Sequence, residues 1–242
     1  MNTEKVPPKI YCNVREAQFV TTDVIQLFLR PGSGQRLTYR AGQYVKLHLT
    51  NELVLPISIA SAPEQRGDIE LHIKIKRSSD AFNELFRQAV VDGVLVISGP
   101  YGSCTLDPTS RRPLILLAAG TGFGQIKALA EDALQKSDGR GIHLYWGARR
   151  EQDLYMLPLL ERWASRCASF RYTPVLSNDG DAQRWQGKTG YVQDAVLQEV
   201  SDIADHEVYA SGPREMVLAA YQALSAQGLS RPYIHADALP AA

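Results

Sequence analysis

Three stretches of the chain combine residue types that chemistry could use. Ala118-Ala119-Gly120-Thr121-Gly122-Phe123-Gly124 stands where an apolar run gives way to an amphipathic pattern. Glycines at a strand-to-helix junction permit a tight turn and let a phosphate or nicotinamide approach backbone N–H groups. The spacing is Gly-x-Gly-x-Gly rather than the Gly-x-Gly-x-x-Gly dinucleotide fingerprint, so a tight connection without a ligand is the competing reading. Leu55-Pro56-Ile57-Ser58-Ile59-Ala60-Ser61-Ala62-Pro63 sets two serines in an otherwise apolar stretch. A buried hydroxyl needs a partner, either backbone or the polar edge of a ligand. Finally, Ile142–Trp146 runs into Gly147-Ala148-Arg149-Arg150 with no acid at the strand end. An acid there prefers a free ribose 2′-hydroxyl and a cation accommodates a 2′-phosphate. The two arginines suit NADPH, or else they solvate a loop beside Glu151 and Asp153.

Other chemistries lack their residues. There is no Gly-x-Ser-x-Gly elbow, no His-Glu-x-x-His and no Walker loop. His48, His72, His143, His206 and His235 are scattered, so a metal site has little support. Cys12, Cys104 and Cys167 are too far apart for a disulfide framework, a zinc site or an iron–sulfur cluster. Leu71 to Arg77 alternates cleanly, with His72, Lys74 and Lys76 on one face, which reads as solvent-exposed sheet more readily than as an anion site.

The elements that must position these residues come in two alphabets. Residues 1–111 contain 6 alanines and residues 112–242 contain 20, so the first part should be strand-rich and the second helix-rich. In the first part Val24–Leu29, Tyr44–Leu49, Ile69–Ile75 and Val94–Ile97 read as short strands between Gly- and Pro-containing turns. They predict an antiparallel barrel or sandwich. Phe82, Leu85, Phe86 and Ala89 sit at helical spacing. In the second part the apolar run Pro113–Ala119 predicts a buried parallel strand. Helices at Phe123–Lys136, Leu154–Arg166, Val192–Val200 and Glu215–Gln227 alternate with strands at Ile142–Trp146, Arg171–Leu176 and Glu207–Ala210. That alternation implies βαβ units and an open parallel sheet.

The 242 residues carry 26 basic and 26 acidic side chains, with a pI near 7.0. This balance argues against a nucleic-acid partner or an anionic-membrane surface. With 45% hydrophobic and 21% charged residues the chain is not disordered, and no apolar run approaches the roughly 20 residues of a membrane span. Met1 to Pro8 has no apolar core of a signal peptide, so a cytoplasmic protein is expected.

The order of motifs resembles the ferredoxin–NADP reductase superfamily, and within it the short bacterial NAD(P)H:flavin oxidoreductases. In the first part the matching residues are Ala41-Gly42-Gln43-Tyr44, Pro56-Ile57-Ser58-Ile59-Ala60-Ser61-Ala62-Pro63 and Gly99-Pro100-Tyr101-Gly102. Gly120-Thr121-Gly122-Phe123, Tyr145-Trp146-Gly147-Ala148-Arg149 and Leu154-Tyr155 follow. Thr189-Gly190-Tyr191-Val192, Tyr209-Ala210-Ser211-Gly212-Pro213 and Asp237-Ala238 complete the set. The resemblance implies two domains, a flavin-binding antiparallel β-barrel over residues 1–110 and an α/β nicotinamide-binding domain over residues 111–242. It implies FAD or FMN, bound or as substrate, with NADH or NADPH. Hydride would pass from nicotinamide C4 to flavin N5 in a cleft between the domains.

By resemblance, Ser58 is the catalytic candidate, its hydroxyl facing flavin N5. Pro56, Ile57 and Ile59 would line the isoalloxazine edge through backbone groups, and His72 and Ile73 the distal part of the flavin. Gly120, Thr121 and Gly122 would meet the pyrophosphate and nicotinamide. Ser211, Gly212 and Pro213 match a loop near the nicotinamide, and Asp237 a C-terminal segment that closes over the flavin. Leu55 and Ile57 stand where relatives carry arginine and an aromatic residue, Ser211 where a cysteine is frequent, and Leu239 where an aromatic is common. Losing the arginine and the ring should weaken flavin retention, with Arg40 and Arg77 as candidates to replace the charge. Three functions follow: reduction of free flavin by NAD(P)H, a reductase with bound FAD serving an oxygenase or other acceptor protein, or a non-catalytic nucleotide-binding module.

Overall fold

The first six strands are β1 (Lys9–Phe19), β2 (Val24–Pro31), β3 (Tyr44–His48), β4 (Val54–Ser58), β5 (Ile69–Lys74) and β6 (Val94–Tyr101); β5 is buried along nearly its whole length. The computed structural model describes residues 7–63, 67–136, 139–177, 185 and 187–239, so Met1–Val6 and the Arg66 of the predicted turn lie outside the described residues. The chain divides into two units, Met1–Thr105 and Leu106–Ala242.

In the first unit the strands pair antiparallel in the order β4-β3-β6-β1-β2-β5. An antiparallel bridge between Ile59 and Leu71, with the Ala60 N–H donating to the Glu70 carbonyl at 2.7 Å, joins the two ends of that order. The sheet therefore curls into a barrel rather than a sandwich. Its interior is aliphatic: Leu27, Leu29, Val45, Leu47, Ile59, Leu71, Leu95 and Ile97 are buried together. Strands β1 and β4 were not expected as strands. A register shift between Val14 and Glu16 breaks the alternation of β1, and β4 hides within the Leu55–Pro63 stretch.

The predicted helical stripe forms α1 (Asp80–Phe86), capped by Ser79, whose hydroxyl accepts the Phe82 N–H. The helix widens into a π-helical turn over Arg87–Asp92 and stops at Gly93, in the left-handed region at φ 69°. Leu85 and Ala89 are buried as expected, but Phe86 lies at the surface.

The second unit contains β7 (Leu114–Ala119), α2 (Phe123–Lys136), β8 (Ile142–Ala148), α3 (Leu157–Arg166), β9 (Phe170–Leu176) and β10 (Lys188–Thr189). It continues with α4 (Val192–Glu199), β11 (Glu207–Ser211), α5 (Arg214–Ala226) and β12 (Ile234–His235). All six strands are parallel, in the order β10-β9-β8-β7-β11-β12. Helix α3 starts three residues later than expected, because Glu151–Asp153 forms a separate 3-10 turn and Pro158 fits the first helical turn. Among the described residues no helix is long and apolar enough to cross a membrane.

Candidate active site

Strand order locates the site in the second unit. Chain order runs outward from β7 to β8 and β9, then returns to add β11 on the other side of β7. The order reverses between β7 and β11, and ligands of open α/β sheets bind outside the carboxyl ends of the strands at such a point. The Gly120-Thr121-Gly122 turn leaves the end of β7 and Ser211-Gly212-Pro213 leaves the end of β11, so six of the predicted residues meet there. Their backbones touch. A Cβ added to Gly122 would overlap the Ser211 carbonyl group, and one on Gly212 would come within 2.6 Å of Met216 Cε. Gly120 adopts φ 55°. These glycines are required by close approach and a left-handed turn.

Two aromatic rings support the turn from below. Phe123 stacks on Trp146 with ring centroids 3.8 Å apart and an interplanar angle of 14°. The Trp146 indole N–H donates to the Gly120 carbonyl at 3.1 Å, and Tyr155 packs edge-on against both rings. Trp146 is fully buried at the end of β8, beside Ala118. In the sequence this tryptophan stands out only as part of the Tyr145–Arg149 motif. Its position on a strand adjoining a glycine turn was the signal available.

The two arginines after β8 separate in the structure. Arg150 pairs with Asp153 at 3.4 Å, the loop-solvating role. Arg149 is exposed and makes no hydrogen bond or ion pair among the described residues. Asp237 is tied to the start of α2, where the buried Gln125 side-chain amide donates to its carboxylate at 2.8 Å. Desolvation raises the Asp237 carboxyl above its ordinary range and this hydrogen bond partly offsets the rise, although the residue is exposed at one side. Burial pushes the Cys12 thiol up to about 12, so this cysteine offers no nucleophile.

In the barrel the two serines divide the two readings between them. Ser61 is buried, and its hydroxyl accepts from the Glu70 N–H at 3.2 Å and bonds the Tyr39 hydroxyl at 3.1 Å. Ser58, half-buried at the end of β4 opposite Tyr44, has no hydrogen-bond partner for its hydroxyl among the described residues. Leu55 and Ile57 pack against the barrel core with Ile59, on the opposite side of the strand from Pro56 and Ser58. The Ile59 N–H is already committed to the Gln43 carbonyl at 3.0 Å. Arg77 is committed elsewhere, donating to the Thr22 carbonyl at 2.7 Å over the ring of Phe19. Arg40 stands at the Ser58 end of the barrel, where the Gln43 N–H bonds its carbonyl.

His72 and Ile73 lie on β5, next to the bridge that follows Ser58. The expected solvent-facing row holds for Lys74 and Lys76 but fails at His72, whose side chain is 0% exposed. Its imidazole lies 2.8 Å from the Glu70 carboxylate, which also accepts from Gln26 at 2.7 Å; Gln26 in turn accepts from Gln18 at 2.7 Å. Ile73 points into the core. Both side chains are spent on the fold.

Residues 11–106 match the family described as Oxidoreductase FAD-binding domain, and residues 116–222 match Oxidoreductase NAD-binding domain. The chain is 34% identical, over 94% of its length and 68% of the relative, to the CDP-6-deoxy-L-threo-D-glycero-4-hexulose-3-dehydrase reductase of Yersinia pseudotuberculosis. It belongs to the ferredoxin–NADP reductase superfamily. A second relative is the NAD(P)H-flavin reductase of Vibrio harveyi, 32% identical over 87% of this chain and 90% of the relative. Among solved structures, the Amycolatopsis cytochrome P450 reductase GcoB superposes with a TM-score of 0.85 at 26% identity, covering 96% of this chain and 70% of that one. As in the superfamily, an antiparallel FAD-type sheet precedes a parallel NAD-type sheet, and the protein is an oxidoreductase of flavin and nicotinamide nucleotides. The donor sets fit those groups: a glycine turn that opens a helix suits a pyrophosphate, and a hydroxyl without a partner among the described residues suits a ring nitrogen.

Proposed function

We propose that this protein is an NAD(P)H-dependent flavin oxidoreductase that takes free flavin as its acceptor. The observation that carries this reading is the Ser58 hydroxyl, without a partner among the described residues on a strand whose Leu55 and Ile57 are turned to the core. With no arginine or aromatic ring at those positions, β4 offers the flavin a hydrogen bond but little grip. Near-complete coverage of the Vibrio harveyi NAD(P)H-flavin reductase supports the same reading.

When both nucleotides are bound, nicotinamide C4 supplies a hydride and flavin N5 receives it. The chain contributes orientation. Residues 1–110 would hold the flavin, with Ser58 hydrogen-bonding N5, the backbone of Pro56, Ile57 and Ile59 along the ring edge and that of His72 and Ile73 at the distal part of the flavin. Residues 111–242 would hold the nicotinamide nucleotide. There Gly120, Thr121 and Gly122 receive the pyrophosphate side, and Ser211, Gly212 and Pro213 border the nicotinamide. Asp237 helps close the site. Arg149, unlike Arg150, has no partner among the described residues, which favours a 2′-phosphate and hence NADPH. Cys12, Cys104 and Cys167 form no disulfide among the described residues, which suits the cytoplasm.

A second reading, a reductase with retained FAD that serves an oxygenase or other acceptor protein, is favoured by the likeness to the cytochrome P450 reductase. The test is NAD(P)H oxidation by thoroughly gel-filtered protein, with and without riboflavin, FMN or FAD. Turnover only with added flavin is expected. Stoichiometric flavin that survives gel filtration would transfer the assignment to the second reading. Calorimetry that finds neither nucleotide bound would remove both.

A further inference from the structure

We infer that Trp146 is a positioning residue for the nicotinamide nucleotide, acting through the orientation of one peptide group in the glycine turn. The inference rests on the function proposed above. Its physical basis is the planarity of the peptide unit. In a trans peptide the carbonyl of one residue and the N–H of the next point in opposite directions. The Gly120 carbonyl is held inward by two donors, the Trp146 indole N–H at 3.1 Å and the Phe123 backbone N–H that closes the 3-10 turn. The N–H of Thr121 therefore points outward, away from the indole. As the first groups of a helical segment, the N–H groups of Thr121 and Gly122 have no intrahelical acceptor.

Left to itself, this peptide would be easy to turn. Gly120 has no side chain, and nothing lies within 4 Å of the position a Cβ would take there. Glycine also allows the widest choice of backbone angles. The restraint comes from the neighbouring strand. The indole cannot swing away, because it is fully buried and stacked on Phe123, with Tyr155 edge-on at 5.2 Å. It is anchored further by β8, whose Trp146 pairs in register with Ala118 just before the turn. Trp146 thus acts on the ligand without touching it, by holding a donor in the direction a phosphate needs before binding takes place. Preorganisation of this kind lowers the ordering cost of binding.

The discriminating variant is Trp146→Phe, which keeps an aromatic ring against Phe123 and Tyr155 but removes the N–H. Removing one hydrogen bond of ordinary strength should raise the Kd for NADPH, measured by calorimetry, about 3- to 10-fold. The KM for NADPH should rise by the same factor, while kcat at saturating nucleotide and the KM for flavin stay within twofold. If the phenylalanine variant fails to fold, site-specific incorporation of the benzothiophene analogue of tryptophan replaces the N–H by sulfur in the same outline. Unchanged NADPH affinity in either variant would overturn the inference, and so would parallel losses for flavin and NADPH, which mark a general structural role. The wild-type titration separates the two levels: binding of neither NADPH nor NADH would overturn the proposed function and this inference with it. Wild-type binding matched by the variant would overturn this inference alone.

Discussion

The Gly120–Gly122 turn and the Leu55–Ser58 strand differ in the material from which they are made. The turn is backbone, packed so closely that Gly122 has no room for a Cβ and Gly120 takes a left-handed angle. The strand offers one side-chain hydroxyl, Ser58, on a backbone already engaged by β3. A site made from backbone cannot be changed without disturbing the fold that shapes it. A site made from one side chain can be removed while its scaffold stands. Chemistry and stability should therefore be coupled at the first site and separable at the second.

The largest break in that contrast should come from Gly122→Ala. The new methyl would collide with the Ser211 carbonyl, forcing apart the ends of β7 and β11. Overpacking of this kind costs about 1–3 kcal/mol or more, so a lowered urea midpoint is expected together with loss of NADPH binding by calorimetry. Full binding at undiminished stability would show that the two strand ends are looser than their packing implies.

Acid sharpens the picture of the second unit. His143 lies on β8 between the Tyr145 hydroxyl at 3.1 Å and Thr173 at 2.9 Å, and burial lowers its pKa from 6.5 to about 4 despite the nearby Glu199. The unfolded chain then binds a proton that the folded chain refuses. Stability from this residue is complete above pH 6.5 and drains away as the pH falls toward 4, by up to about 3 kcal/mol. Urea midpoints between pH 7 and pH 4.5 should fall less steeply for His143→Gln than for the wild type. Parallel curves would show that His143 titrates normally.

The finest test pits the two serines against each other. Ser58→Ala should slow single-turnover hydride transfer about tenfold or more while stability moves by less than ~0.5 kcal/mol. Ser61→Ala strips the acceptor from the Glu70 N–H and removes the hydrogen bond shared with the Tyr39 hydroxyl, costing about 1–2 kcal/mol with the hydride rate unchanged. An equal single-turnover rate in Ser58→Ala and wild type would refute the assigned role.

Much of the second unit could be read in advance because its signals are local. The apolar run ending at Ala119, the glycines behind it and the alternation of strand and helix are written in consecutive residues, and the parallel sheet follows. The barrel was harder to read. The bulge at Val14–Glu16 disguises β1, and nothing near His72 announces Glu70 and Gln26 as a buried network. That network exists only because β5 and β2 pair in the register that sets Gln26 opposite His72. Trp146 was equally hidden: its partner Gly120 is distant in sequence and meets it only when β8 pairs with β7.

One residue of the serine strand has a consequence for the protein in a crowded solution. The outer edge of β4 meets β5 only beyond Ser58, at the Ile59–Leu71 bridge, and the exposed Leu53 and Val54 stand at its open end. A bare edge with apolar side chains invites another chain to add a strand. Pro56, at mid-strand, has no N–H to offer such a visitor, and proline is tolerated in sheets where that side faces away from the ladder. The same short segment that presents Ser58 thus guards the barrel against growing into an aggregate.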